Sequence, residues 1–316
     1  LNNLNTKAGV ITLMYHRFNE NKYPSTNIKN EIFVEHLQEI NNIGIEFITF
    51  KKFEKIIKTN IDKNYLLLTI DDAFESFYLN AWPILKNKKI PFILFVSTRE
   101  IGKYGYMTWK QIKEIEANDF VAVGNHSHSH EYLIDWDDEK IIFDLETSIK
   151  IFKKELGYSP KIFSYPFGEY SSNLKKIVSD LDFKFAFGQH SGVLHSKANF
   201  FALPRYPLVA KFSDLARFRT VVDSLPLPAT DIVPIDPLIR ENPPILGFTI
   251  SANLGPLQQL ACYLARFGKL NIEQLGPNRI EVRFLKPLEK GRSRINCTLP
   301  GPSGRWRWFG MQLLVP

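Results

Sequence analysis

Tyr65-Leu66-Leu67-Leu68-Thr69-Ile70 is almost wholly apolar and breaks abruptly at Asp71-Asp72-Ala73, and how this stretch is read decides the fold. A short apolar run with a sharp polar end predicts a strand buried on both faces. A helical pattern follows over 75–86, and a second apolar run over 91–96. Strand, helix and strand in that order form a parallel βαβ unit. The same alternation continues in both directions. Strands are predicted over 10–14, 46–50, 120–123, 161–165, 183–187 and 201–203, with helices over 33–42, 108–117, 138–156 and 171–181. The expectation is an α/β fold, a distorted (β/α) barrel of about seven strands, whose chemistry sits at the carboxyl ends of the strands.

The alternation stops near Asp223. From Leu225 to Pro244 the chain carries Pro226, Pro228, Pro234, Pro237, Pro243 and Pro244, a density hostile to helix and to sheet interior. The predicted organisation is therefore a catalytic barrel over 1–223, a proline-rich linker over 224–244, and a small antiparallel β accessory domain over 245–316. In that domain 279–284, 294–299 and 306–315 read as strands.

The chain has 316 residues, 44% hydrophobic and 23% charged, which excludes a disordered protein or a membrane bundle. No apolar run approaches the roughly 18 residues that span a bilayer. The net charge of +7 is uneven: residues 225–316 carry 11 Lys and Arg against 6 Asp and Glu. Arg305-Trp306-Arg307-Trp308 admits an anionic glycan or envelope surface as partner, or arginine stems laid over tryptophan faces within the small domain. Nucleic acid is the least favoured partner, because the chemistry-bearing residues lie in the other domain. The two cysteines, Cys262 and Cys297, both fall in the small domain. A bridge between them would favour an exported protein, with two buried thiols the alternative. The chain opens on Leu1, so a secretory signal could have stood upstream. The expected location is periplasmic or secreted.

Three clusters fall just past predicted strand ends. Asp71 and Asp72 are adjacent carboxylates that repel each other and call for a nearby positive charge; helix capping would account for Asp72 alone. His126, His128 and His130 stand at alternate positions after a strand. His126 and His130, at i and i+4, would share one side of a helical turn and could share a cation, leaving His128 to point elsewhere. The pattern also permits three ligands or an incidental surface cluster. Finally, Phe163-Ser164-Tyr165-Pro166-Phe167-Gly168 ends a strand in a sharp bend whose backbone N–H groups can face a ligand oxygen.

In order and spacing these clusters resemble the polysaccharide deacetylase family, also called carbohydrate esterase family four or the NodB-homology domain. The matches are Thr69 to Ala73, His126 to His130 and Ser164 to Gly168, with support from Leu13-Met14-Tyr15-His16, Met107-Thr108-Trp109 and Leu203-Pro204-Arg205. The resemblance spans roughly residues 9–210. It implies metal-dependent amide hydrolysis. Asp72, His126 and His130 are then the metal ligands, Asp71 is the general base, and the backbone of Phe167 helps to hold the oxyanion. It implies one divalent ion, zinc by default, with cobalt, nickel or iron as alternatives. Tyr165, Trp109 and His16 are assigned with Phe167 to the substrate site. Three positions depart from the family pattern: Ala73 replaces Gly, Phe167 replaces Tyr, and Ser164 replaces the Arg that orients the catalytic carboxylate. Arg205 is the candidate substitute for that Arg. The family's late acid His has no match, and His190 is the candidate for it, with His195 second.

The expected function is removal of N-acetyl groups from an N-acetylated amino sugar in a polysaccharide or envelope glycan. Two rivals stand beside it: a glycan-binding module that keeps the fold without catalysis, and an iron oxygenase with two His and one carboxylate. The second carboxylate argues against the oxygenase, which needs no such base.

Overall fold

The computed structural model describes residues 4–59 and 61–316. Among them, seven parallel strands run in the spatial order Tyr206–Pro207, Val10–Tyr15, Tyr65–Ile70, Phe92–Val96, Val121–Asn125, Ile162–Ser164 and Phe185–Phe187. The short strand Glu46–Phe47 adds to the side of Tyr65–Ile70. Helices Asn30–Ile43, Trp82–Lys88, Trp109–Glu116, Asp138–Leu156 and Ser172–Asp180 make the crossovers. This is the distorted (β/α) barrel that the alternation predicts. Both faces of the central strands are largely apolar, because one packs on helices and the other fills the barrel. Leu66, Leu68 and Ile70 join Leu94 and Val96 against the helices, whereas Leu67 joins Ile93, Phe95 and Phe187 inside.

Several elements differ from the sequence reading. The 46–50 segment is strand only over Glu46–Phe47, because Thr49 caps a helix over Phe50–Ile56 by accepting from the Lys52 N–H. Asp214 likewise caps a helix over Leu215–Val222 that the strand-and-helix alternation missed. Residues 201–203 form no ladder: Leu203 makes an isolated parallel bridge to Phe187, and the last strand is Tyr206–Pro207. Pro204 and Pro207 explain its shortness, since neither can donate a ladder hydrogen bond.

The C-terminal region is a β-sandwich. One sheet orders Leu225–Pro226, Trp306–Val315, Gly291–Pro300, Ala261–Leu264 and Gly268–Lys269; the other orders Ala229–Val233, Leu246–Ile250, Arg279–Arg283 and Asn271–Leu275. Their inner faces meet in one core that includes Phe248, Ile280, Ile295, Leu299 and Leu313. Cys262 and Cys297 lie directly opposite on paired strands and form a disulfide inside it. The proline-rich segment is not a free linker, for it supplies an edge strand to each sheet. Edge positions tolerate proline because one row of N–H groups there has no partner strand. The sandwich docks closely on the barrel. Arg305 bonds the Asp223 carbonyl at 2.8 Å and Arg307 reaches the Thr6 and Pro226 carbonyls at 2.6 and 3.1 Å, so both guanidinium groups are turned inward.

Candidate active site at the barrel mouth

Strand alternation places the first carboxylate. With Leu66, Leu68 and Ile70 facing the helices, Thr69 and Asp71 face the barrel interior, and both are fully buried. Arg205, buried as completely, meets Asp71 with two parallel bonds, Nη1 to Oδ1 at 2.7 Å and Nη2 to Oδ2 at 2.8 Å. The rest of the guanidinium fork is satisfied by Gly188 O at 2.8 Å, Thr69 Oγ1 at 3.1 Å and Ser164 Oγ at 2.8 Å. Ser164 Oγ also donates to Asp71 Oδ2 at 3.3 Å. The family position that carries Arg is thus a small hydroxyl here, and a guanidinium from across the barrel reaches past it. Burial works against ionisation of Asp71, but Arg205, His126 and His16 outweigh it and hold the carboxyl below its usual range.

Simple alternation would turn Asp72 back toward the helices. It does not, because Asp72 and Ala73 both adopt positive φ, 75° and 53°. Left-handed backbone at a residue other than glycine costs about 1–3 kcal/mol and persists only where the surroundings enforce it. The twist carries Asp72 to the mouth rather than onto a helix cap, and the helical segment that follows starts beyond Ser76.

His126 and His130 do not sit on a helical turn. The loop after Val121–Asn125 is irregular, with positive φ at Ser127 (69°) and His130 (55°). Helix Asp138–Leu156 supplies Asp144, whose carboxylate accepts the N–H groups of His128 and Ser129 at 2.9 and 3.0 Å. Ser127 Oγ accepts the His130 N–H at 2.9 Å. His128 turns away to Thr98 Oγ1, at 2.9 Å. His126 and His130 converge instead: their Nε2 atoms lie 3.2 and 3.0 Å from Asp72 Oδ1. Beside them the Phe167 ring packs edge-on to His130 at 4.8 Å and stacks on Tyr132 at 4.0 Å.

Donor atoms of Asp72, His126 and His130 all lie within 4.8 Å of one another, close enough to hold one metal ion. Two details fit a cation. Asp72 Oδ1 is buried without a hydrogen-bond partner. The Nδ1 of His126 bonds the Ser164 carbonyl at 2.7 Å, which makes Nδ1 the donor and leaves the Nε2 lone pair facing the cluster. Burial opposes charge on Asp72 and on His130; the pair overcomes it together, with Asp72 pushed well below the carboxylate range and His130 raised.

His16 is the third imidazole at the mouth. Its Nε2 lies 3.9 Å from Asp71 Oδ2, as does that of His126. Burial lowers its pKa, against the pull of Asp71 and Asp72. A cavity of about 240 Å³ opens over Asp72 and His130, lined also by Arg17, Tyr23, Glu100 and Tyr106. Sequence reading singled out none of these four.

Three assigned residues lie elsewhere. Tyr165 is buried against Phe163 and Tyr170 and donates to the Phe201 carbonyl at 2.9 Å, because the strand's alternation points it outward from the mouth. Trp109 opens helix Trp109–Glu116 and packs edge-on against Phe152 at 5.7 Å as part of the core. His190 lines a separate cavity of about 340 Å³ between barrel and sandwich, together with His195. Its Nε2 bonds the Ala202 carbonyl at 3.1 Å, and burial pushes its pKa down to about 4, so it is neutral near pH 7 and a poor proton donor.

Comparison with known proteins accords with this fold. Residues 58–186 match the family described as polysaccharide deacetylase. Over that stretch the barrel is similar to the polysaccharide deacetylase family. Its relatives include the poly-β-1,6-N-acetyl-D-glucosamine N-deacetylase of Staphylococcus aureus, 23% identical over 214 residues that cover 63% of this chain and 74% of the relative. Among solved structures, IcaB from Ammonifex degensii superposes with TM-score 0.59 at 24% identity, over 68% of this chain and 95% of that one. The Streptococcus pyogenes deacetylase PplD, in complex with acetate, gives TM-score 0.60 at 22% identity, over 66% and 96%. The polysaccharide deacetylase fold therefore accounts for the barrel.

Proposed function

We propose that this polysaccharide deacetylase removes N-acetyl groups from an N-acetylated amino-sugar polymer, with Asp71 as general base. One observation carries the reading: Asp72, His126 and His130 converge within 4.8 Å, directly beside a carboxylate clamped by Arg205. Asp72, His126 and His130 would hold the divalent ion. Such an ion supplies Lewis acidity, which can bring the pKa of water from 15.7 to roughly 7.

The chain's own residues do the rest. Asp71 takes the proton of the attacking water on Oδ2, the oxygen nearest to His16 and His126. Arg205 fixes the carboxylate plane and keeps it ionised, so the base is ready at neutral pH. Water oxygen adds to the acetyl carbon, and the C–N bond then breaks to give acetate and a free amine. His16, within 3.9 Å of Asp71, is the imidazole placed to relay the proton that Asp71 has taken from water to the departing nitrogen. Phe167 borders the same space, and its backbone N–H is the candidate oxyanion donor. Tyr23 and Tyr106 offer faces on which pyranose rings stack. The Staphylococcus aureus relative points to β-1,6-linked N-acetylglucosamine as the first substrate to try. A disulfide in the sandwich supports an exported protein.

The test is acetate release from β-1,6-linked N-acetylglucosamine oligomers by metal-replete, chelated and reloaded protein, alongside Asp71→Asn. Metal-dependent release that drops at least 100-fold in Asp71→Asn is expected, with oligomer binding retained. Wild-type protein that binds the oligomers and frees no acetate from any N-acetylated glycan would establish the binding module instead.

A further inference from the structure

The turn that borders His130 is held from outside the barrel. Phe167 and Gly168 are consecutive residues with positive φ, 58° and 71°. A turn of this shape leaves carbonyls that it cannot satisfy itself. Both are capped by the C-terminal sandwich: Arg292 Nη1 donates to Phe167 O at 2.7 Å, and Gln312 Nε2 donates to Gly168 O at 2.5 Å. Arg292 also pairs with Glu169 Oε1 at 3.0 Å, and Arg294 Nη2 bonds Gln189 Oε1 at 3.0 Å. Gln189 is the residue that a side chain at position 168 would strike, at 2.4 Å.

These donors form one built face. Arg292 and Arg294 stand two apart on the same strand, and Arg294 lies directly opposite Gln312 on the next. Gln312 is 2% exposed, which is unusual for an amide unless its bonds are needed. The face presses on one side of the turn while the Phe167 ring presses on His130 from the other. Other docking contacts, such as Arg305 to Asp223, lie on a different part of the junction and touch nothing at the mouth.

We propose that the C-terminal β-sandwich is a positioning element of the deacetylase site, with Arg292 and Gln312 holding the Phe167–Gly168 turn against His130. The proposal rests on the reading that this turn borders the reacting centre. On it, the sandwich is part of the catalytic unit rather than an independent glycan-binding appendage.

The experiment compares full-length Arg292→Ala, Arg292→Lys, Gln312→Met and the docking control Arg305→Ala. Two quantities are read: kcat and KM for acetate release, and hydrogen exchange of the amides over 165–169. Arg292→Ala and Gln312→Met are expected to lower kcat by 10- to 100-fold with KM within threefold, and to speed exchange in the turn at least tenfold. Arg292→Lys should recover much of both, and Arg305→Ala should leave both near wild type. Wild-type kcat in the two turn variants, with or without faster exchange, overturns the proposal. So does an Arg305→Ala protein as impaired as Arg292→Ala, because the sandwich would then act only by general stabilisation. Should wild-type protein free no acetate, the deacetylase reading fails by itself, and the exchange data still decide whether the sandwich holds the turn.

Discussion

At the scale of single residues, the decisive contact is Asp71 with Arg205. Both groups are fully buried, so neither can fall back on water if the other is removed. Breaking such a pair typically costs about 3–5 kcal/mol, much more than an exposed ion pair is worth. Arg205→Ala should therefore lower stability by about that amount in chemical denaturation. Arg205→Lys should fold better, yet lose activity, because an ammonium cannot reproduce the two parallel bonds that set the carboxylate plane. An Arg205→Lys protein with wild-type kcat would contradict the assigned orienting role. The sequence displayed both partners and the vacancy at Ser164 that calls for one of them. It did not display His16 beside Asp71, since 55 residues separate two positions that only adjacent parallel strands bring together.

At the scale of elements, the His126–His130 loop is shaped by a helix it does not belong to. Asp144, from helix Asp138–Leu156, accepts two consecutive backbone N–H groups of the loop. Asp144→Ala removes both acceptors and should weaken metal binding by roughly 10- to 100-fold, as removal of supporting hydrogen bonds does at other metal sites. Titration with zinc or cobalt against a chelator measures this directly, and unchanged affinity would show that the loop holds its own shape. The helix itself was legible from periodicity to the residue, but its bond to the loop was not, because an aspartate on a helix gives no sign of what it caps. The disulfide belongs to this scale as well. It closes a separation of 35 residues within the sandwich, for which the chain-entropy account gives about 3–4 kcal/mol. Replacing both cysteines by alanine should lower the unfolding midpoint of the sandwich accordingly, and an unchanged midpoint would mean that the bridge adds nothing to the packed core.

At the scale of the whole molecule, buried histidines set an acid limit. Burial lowers His36 to about 4, where it stacks on Phe218 at 3.9 Å, and lowers His190 to a similar value. A neutral histidine of this kind is charged more readily in the unfolded chain, whose pKa is near 6.5, so unfolding takes up protons between pH 6.5 and 4. The stabilisation is complete above pH 6.5 and is lost as pH falls toward 4, by about 1.4 kcal/mol per unit for each group. Denaturation midpoints at pH 7.5, 6 and 5 should fall in that order, and a flat profile would count against neutral burial of these rings.

The sequence by itself determined the barrel, the order of its strands and helices, and the three clusters at strand ends, because each of these rests on local periodicity or on neighbouring residues. It also marked the chain's change of character near Asp223. Tertiary structure decided that Arg205, the candidate named from sequence, does reach Asp71, and that His16, assigned there to the substrate site, stands beside that carboxylate while His190 does not. It decided too that prolines at sheet edges become strands and that the sandwich grips the Phe167 turn. The physical reason is common to all four: each is a pairing between distant segments, fixed by how strands register and how two domains dock, and no local pattern encodes the far partner.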